Sequence, residues 1–372
     1  MSSGFEIQLI AIIVSASCAL PGAFLVLRKM SMICDSITHT ILLGIVLAFF
    51  VVHDLNSPLL IIGATLMGLL TVYLIEVVAR TKIVSEDASI GLIFPLLFSI
   101  AIILISKEAG HVHLDTDSVL LGELAFAPFN RVIFGGFDFG PKALYTSAIT
   151  LIINLTLVIL FFKELKIVTF DPLLAATLGI APVLVHYGLM TSVALTTVVS
   201  FEAVGSILVI AFMVGPATTA YLLTDDVKKL LLLSILFSTI SSILGYQFAF
   251  IFDVSIAGSM ALMVGLVFLV SLIVAPKRGL IALYKIRKER KLEFEKTILL
   301  LHIYNHQEAA DEMAENGLNS ITTHLNWEKP KLDRIAESLE DNVMVDHDAL
   351  HITEKGIKTL KHFTNAILVR YS

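Results

Sequence analysis

Asp35 and His39 are the sharpest chemical pair in this sequence, set four apart in Met32-Ile-Cys-Asp-Ser-Ile-Thr-His-Thr-Ile-Leu-Leu-Gly44. In a helix that spacing stacks both side chains on one face. A carboxylate and an imidazole so placed supply half of a coordination sphere for a divalent ion, and this ligand class suits Mn2+, Fe2+ and Zn2+. The same spacing also makes a packing device, a neutral histidine hydrogen-bonded to its own aspartate, and spacing alone does not separate the two. Counted from Arg28, eleven residues at ~1.5 Å each place His39 roughly 16 Å along the segment, near the centre of a bilayer. Cys34 points about 100° away from Asp35 on a helix, which sets thiolate ligation aside.

Other ionisable residues invite the same question. Glu202, in Ser200-Phe-Glu-Ala-Val-Gly205, either adds a carboxylate to the same route or is a surface acid at a span boundary. His111, His113, Asp115 and Asp117 form a hydrophilic cluster that is either an external first-contact site for metal or an ordinary exposed loop. Glu76 reads as interfacial, with Arg80 one turn later as its partner. His186 reads as a histidine satisfied within the core.

The composition says what must position these groups. Of 372 residues, 56% are apolar and 16% charged, against about a quarter charged in ordinary globular chains. Of the 58 Lys, Arg, Asp and Glu residues, 30 lie from Lys277 onward. The chain therefore divides into a membrane body over residues 1–276, a basic juxtamembrane helix over 277–300 and a polar tail over 301–372. Two cysteines, Cys18 and Cys34, both in or beside apolar runs, exclude a disulfide framework or a cysteine-rich metal site. Met1 to Glu6 carries no Lys or Arg, so the first apolar run is expected to be a permanent span rather than a cleaved signal. No phosphate-binding G-x-x-x-x-G-K-[ST] occurs, so any ATP used is expected on another subunit.

A span needs about 20 mostly apolar residues, and nine are predicted: 5–27, 37–53, 58–79, 89–106, 143–162, 182–200, 203–223, 230–251 and 256–275. Two apolar runs meet around Phe201 and Glu202 with almost no linker, so eight spans with a bend there is the rival count. Arg28 and Lys29, Arg80 and Lys82, Lys163 and Lys166, Lys228 and Lys229, and Lys277 onward follow the odd-numbered spans. By the positive-inside rule the N-terminus is outside and the tail cytoplasmic. The long external segment from Lys107 to Lys142 would suit a membrane-embedded hairpin or a docking surface, since long loops without a role are uncommon.

On the cytoplasmic side, Asp171-Pro172 is a helix start signal, with an acid as N-cap and proline at the first helical position. Gly179 and Pro182 end that helix. A short, well-punctuated apolar helix between two spans is suited to dock into another protein.

Four segments in order resemble the metal-ion permease subunits of bacterial ABC transporters, over roughly residues 5 to 280. Met30-Ser-Met-Ile-Cys-Asp-Ser-Ile-Thr-His39 is similar to the Asp/His helix after the first span, and Glu86-Asp-Ala-Ser-Ile-Gly91 to an acidic turn before the fourth. Phe170-Asp-Pro-Leu-Leu-Ala-Ala-Thr-Leu-Gly179 resembles the ATPase coupling helix, placing Phe170, Asp171, Pro172, Ala175, Ala176 and Gly179 in that role. Phe201-Glu-Ala-Val-Gly205 through Ala220 resembles the signature of the later spans. The resemblance implies an all-α polytopic fold of the type II ABC importer kind in a bacterial inner or plasma membrane. It also implies a second permease copy or paralogue, a separate ABC ATPase holding the ATP, and an extracytoplasmic metal-binding lipoprotein. The cargo would be Mn2+ or Fe2+, then Zn2+, contacted in passing by Asp35 and His39, with Glu202 the further candidate on the same route. No permanently bound cofactor is implied.

The tail departs from the short members of that family. Residues 277–300 hold eight basic and three acidic residues, suited to anionic lipid. Residues 301–372 hold seven basic and twelve acidic. Helices are predicted through His306, at Leu318–Leu325, at Lys329–Asn342 and from Glu354 to Leu368, with a two-stranded wing across Val343 to Thr353. This is similar to a small winged-helix α+β domain. Its net charge of −5 lacks the basic footprint of DNA binders, so protein–protein contact is expected rather than nucleic acid. His302, His306, His324, His347, His351 and His362 keep metal sensing open.

Overall fold

The computed structural model describes residues 3–54, 57–108, 124–134, 137–307, 315–339, 341–346 and 349–361. The chain divides into two compact units, Met1–Gly279 and Leu280–Ser372.

In the first unit, nine helices among the described residues are long and apolar enough to cross a membrane. They are α1 (Ser3–Leu27), α2 (Ser31–Val52), α3 (Pro58–Arg80), α4 (Glu86–Glu108), α5 (Lys142–Leu160), α8 (Pro182–Val204), α9 (Ser206–Leu223), α10 (Val227–Phe252) and α11 (Ile256–Val274). Hydrocarbon offers the backbone no hydrogen-bond partners, so each apolar run closes its own N–H and C=O groups as helix. Two shorter helices, α6 (Phe162–Phe170) and α7 (Pro172–Thr177), link α5 to α8. Nine spans, rather than eight with a bend, is what the break between α8 and α9 supports. Gly205, at φ +80°, ends one helix and leads into the next.

Some boundaries differ from expectation. The break falls at Gly205 rather than at Phe201 and Glu202, because Phe201, Ala203 and Val204 are buried and carry α8 onward. Span five ends at Leu160, and α6 continues as a separate helix after the kink at Phe161. The segment before α5 forms a 3-10 turn (Leu124–Phe129) and an antiparallel hairpin of β1 (Arg131–Phe134) and β2 (Phe137–Pro141).

α1 is the central span, with buried residues from Glu6 to Leu25. The main core joins it to α2, α3, α8 and α9 through Ile10, Val14, Ile37, Ile41, Ala64, Met67, Met190, Phe212 and Met213. Small residues bring the helices close. A Cβ on Gly44 of α2 would stand 2.5 Å from the Gly63 carbonyl of α3, and one on Gly22 would run into the backbone of Met213. Close approach is what association in lipid relies on. A buried polar node adds to it. Asn154 of α5 donates to Ser17 Oγ at 3.2 Å and Thr196 Oγ1 at 2.7 Å, and accepts from Ser192 Oγ at 2.8 Å.

The second unit comprises α12 (Leu280–His306), α13 (Leu318–His324), α14 (Lys329–Glu337), a hairpin of β3 (Val343–Asp346) and β4 (Ala349–Ile352), and a helical stretch over 354–361. α14 ends five residues before the predicted Asn342, because Ser338, Leu339, Asp341 and Asn342 are in turns ahead of β3. Leu299, Leu300, Ile303, Ile321, Leu332, Ile335 and Leu350 form its core, with Trp327 packed against it.

Candidate functional site

Asp35 and His39 lie on one face of α2, with Asp35 Oδ1 3.5 Å from His39 Nε2. The imidazole packs against Phe94 and Phe98 of α4, at ring distances of 5.1 and 5.7 Å. Its Nδ1 is buried and has no hydrogen-bond partner among the described residues. The carboxylate is 40% exposed and the imidazole 24%, so the pair opens to one side. Cys34 turns inward to Met213, Sγ to Sδ 3.2 Å.

The depth expected for this pair is corrected. Residues 28–30 do not advance as helix: Lys29 is left-handed (φ 61°), and Met30 N–H bonds back to the Leu25 carbonyl at 2.9 Å. His39 therefore stands eight residues beyond Ser31, the start of α2. At 1.5 Å per residue that is ~12 Å into a helix ~33 Å long. The pair lies in the first half of the span.

Glu202 sits in the last turn of α8, 53% exposed, and pairs with Lys142 Nζ at 3.1 Å. It is at the opposite end of its helix from His186, whereas Asp35 lies near the start of α2. His111, His113, Asp115 and Asp117 lie outside the described residues. Next to that segment the sequence missed a charge cluster. Arg131 of β1 reaches Glu6 of α1 at 3.2 Å and Asp138 of β2 at 2.6 Å. The guanidinium hydrogen bond holds the Asp138 carboxyl below the usual range.

The predicted docking helix is α7. Asp171 Oδ1 accepts from Leu174 N–H at 2.9 Å, Pro172 takes the first helical position, and Ala175 is buried. Gly179, at φ +81°, ends the turn as Ile180 N–H closes on the Ala175 carbonyl at 3.0 Å. Ala176 and Gly179 are exposed. Phe170, Leu173 (82% exposed), Leu174, Leu178, Val183 and Leu184 make an apolar surface around it.

Beside α7 lies a cavity of about 650 Å³ bordered by Arg28, Glu76, Arg80, Lys82, Thr169, Pro172, His186 and Tyr187. Arg80 pairs with Glu76 at 3.3 Å, as the sequence suggested. Two further partners were not legible: His186 Nε2 at 2.5 Å and the Tyr187 hydroxyl at 3.0 Å. Arg28 Nη1 lies 3.1 Å from His186 Nδ1, and Arg28 Nε donates to Thr169 Oγ1 at 3.1 Å. Arginine has only donors, so His186 Nδ1 accepts. In the neutral ring Nε2 then carries the proton and donates to Glu76.

In the tail unit His302, His306 and His324 gather, with ring centres 4.7, 5.6 and 6.5 Å apart. His302 and His306 are four apart on α12, a signal the sequence did offer. Burial, then the neighbouring His306 and His324, push the His302 pKa down. His347 and His362 lie outside the described residues. Among the described residues no three His, Cys, Asp or Glu side chains form a group able to hold a metal ion. Among the described residues Asp35 and His39 thus stand as a pair, without a third such side chain beside them.

Residues 5–275 match the ABC 3 transport family. The zinc transport system membrane protein TroD of Treponema pallidum is 40% identical over 95% of this chain and 96% of its own length. The manganese transport system membrane protein MntD of Bacillus subtilis is 44% identical over 78% of this chain and 98% of its own. The solved structure of PsaBC from Streptococcus pneumoniae in complex with Fab superposes with a TM-score of 0.62 at 30% identity, covering 75% of this chain and 94% of that one.

Proposed function

This chain belongs to the ABC 3 transport family, and from that premise we infer that it is the membrane-spanning permease subunit of an ATP-binding-cassette importer for a divalent transition metal. The observation that carries the reading is the family match over the nine-span body that presents Asp35 and His39. Mn2+ or Fe2+ is the first assignment for the cargo and Zn2+ the second. The relatives' names divide between zinc and manganese, and carboxylate with imidazole serves all three ions.

Asp35 and His39 contact the passing ion. A two-ligand pair binds weakly enough to release, as a transport site must, and a second permease copy or a paralogue completes the sphere. Glu202, with Lys142, stands where the ion enters, and His111, His113 and Asp115 make the first external contact. The N-terminus lies outside, an orientation supported by the Arg and Lys residues that follow the odd-numbered spans. The chain has no phosphate-binding loop, so ATP is bound and hydrolysed on a separate ATPase. That ATPase receives α7, with Phe170, Asp171, Pro172, Ala175, Ala176 and Gly179 as the coupling helix. An extracytoplasmic metal-binding lipoprotein delivers the ion. Residues 1–276 are the permease domain, 277–300 a basic linker on anionic lipid, and 301–372 a winged-helix-like cytoplasmic domain for protein contact.

The test is ATP-dependent uptake by Asp35→Ala and His39→Ala with the ATPase and binding protein present. Both variants lose uptake while retaining ATPase binding. Full uptake by both would overturn the pathway assignment.

A further inference from the structure

Arg28 joins parts of the membrane unit that sequence keeps far apart. It follows α1 directly and precedes α2, the Asp35–His39 helix, by only Lys29 and Met30. That connection has no slack. Arg28 N–H bonds to the Phe24 carbonyl at 3.0 Å, Met30 N–H to Leu25 at 2.9 Å, and Ile33 N–H to Met30 at 3.1 Å. A displacement of Arg28 is therefore passed to the start of α2 rather than absorbed. On its other side Arg28 holds Thr169, two residues before Asp171, the cap of α7. Through His186 it also reaches α8 and Glu76 of α3.

We propose that Arg28 is the positioning residue through which movement of the α7 segment reaches the helix bearing Asp35 and His39. The planar guanidinium suits this, because its fixed fork spans Thr169 and His186 at once, which the single ammonium of lysine does not. Arg28 Nη2 is buried without a partner among the described residues, and Arg28 borders the cavity of about 650 Å³. The grip thus has an unused donor and adjoining space into which the contact can shift. This inference rests on the importer reading above.

The test counts ions moved and ATP hydrolysed in proteoliposomes holding the full chain, its ATPase and its binding protein. Arg28→Gln and Thr169→Val lower the ions moved per ATP at least about fivefold, the lower end of typical coupling effects, while ATP hydrolysis continues. Arg28→Lys falls between these variants and wild type. Thr169→Val nearly keeps the side-chain volume and removes the hydroxyl that accepts from Arg28, so it guards against a folding defect in the arginine variants. An unchanged ratio in both Arg28→Gln and Thr169→Val, or proportional loss of uptake and hydrolysis, would overturn the role. If the wild-type chain moved no metal with ATP, the importer reading itself would fail, and that outcome is separate.

Discussion

The contact between α2 and α3 at Gly44 gives a sharp test of how the helix carrying Asp35 and His39 is held. A methyl group added there would lie 2.5 Å from the Gly63 carbonyl oxygen, 2.6 Å from Met67 Cβ and 2.8 Å from Ala64 Cα. Two of these neighbours are backbone atoms, which cannot rotate aside. Ordinary contact begins near 3.4 Å, so Gly44→Ala must part the helices by roughly 0.9 Å. Overpacking of this kind costs about 1–3 kcal/mol. At about 2–4 °C per kcal/mol the unfolding midpoint falls by roughly 2–12 °C. The chain carries its own probe for this. Both cysteines, Cys18 and Cys34, are buried in the membrane unit, so a thiol-reactive dye reports its melting in detergent. Gly265 of α11 is the control, since nothing lies within 4 Å of a Cβ there, and Gly265→Ala melts no lower than wild type. A Gly44→Ala midpoint equal to wild type would refute the argument that close backbone approach sets the position of α2.

Asn154→Ala removes one side chain that bonds Ser17, Thr196 and Ser192. Side-chain bonds between spans average about 0.6 kcal/mol each, and a stranded buried partner costs about 1–3 kcal/mol. The same dye therefore shows a loss of about 3–5 kcal/mol, and an unshifted midpoint would count against the polar node. In the tail, the His302 pKa is lower folded than unfolded. Protonation thus favours the unfolded state, and stability falls as pH drops below about 6.5, the unfolded value. Trp327, the chain's one tryptophan, packs on the tail core, so its fluorescence during denaturant unfolding reads this unit. The His302→Gln variant shows a shallower decline below pH 6.5, whereas an identical decline would remove His302 as the cause.

Much of the membrane unit was legible because lipid imposes one demand, an apolar run of sufficient length, and the sequence meets it nine times. The start of α7 was legible too, since Asp171 and Pro172 act locally. Helix ends were harder. α8 outlasts Glu202 because Phe201, Ala203 and Val204 find burial that only the folded neighbours provide. The depth of His39 was misjudged because counting assumed helix through residues 28–30, where the backbone turns back on itself. The Arg28–His186–Glu76 network was out of reach, because its members are 110 and 158 residues apart and each has a commonplace reading alone. The His302–His306 spacing was visible on one helix, but its meeting with His324 depends on how α13 packs.

As an importer permease, this chain is expected to move a divalent transition metal at the expense of ATP bound on a partner subunit. The most direct measurement is uptake of Mn2+, Fe2+ and Zn2+, each in competition with the others, into proteoliposomes containing the chain, its ATPase and its binding protein. ATP-dependent accumulation is the expected result, with one ion preferred and none accumulated when ATP is withheld. Equal uptake without ATP, or metal binding with no uptake at all, would contradict it.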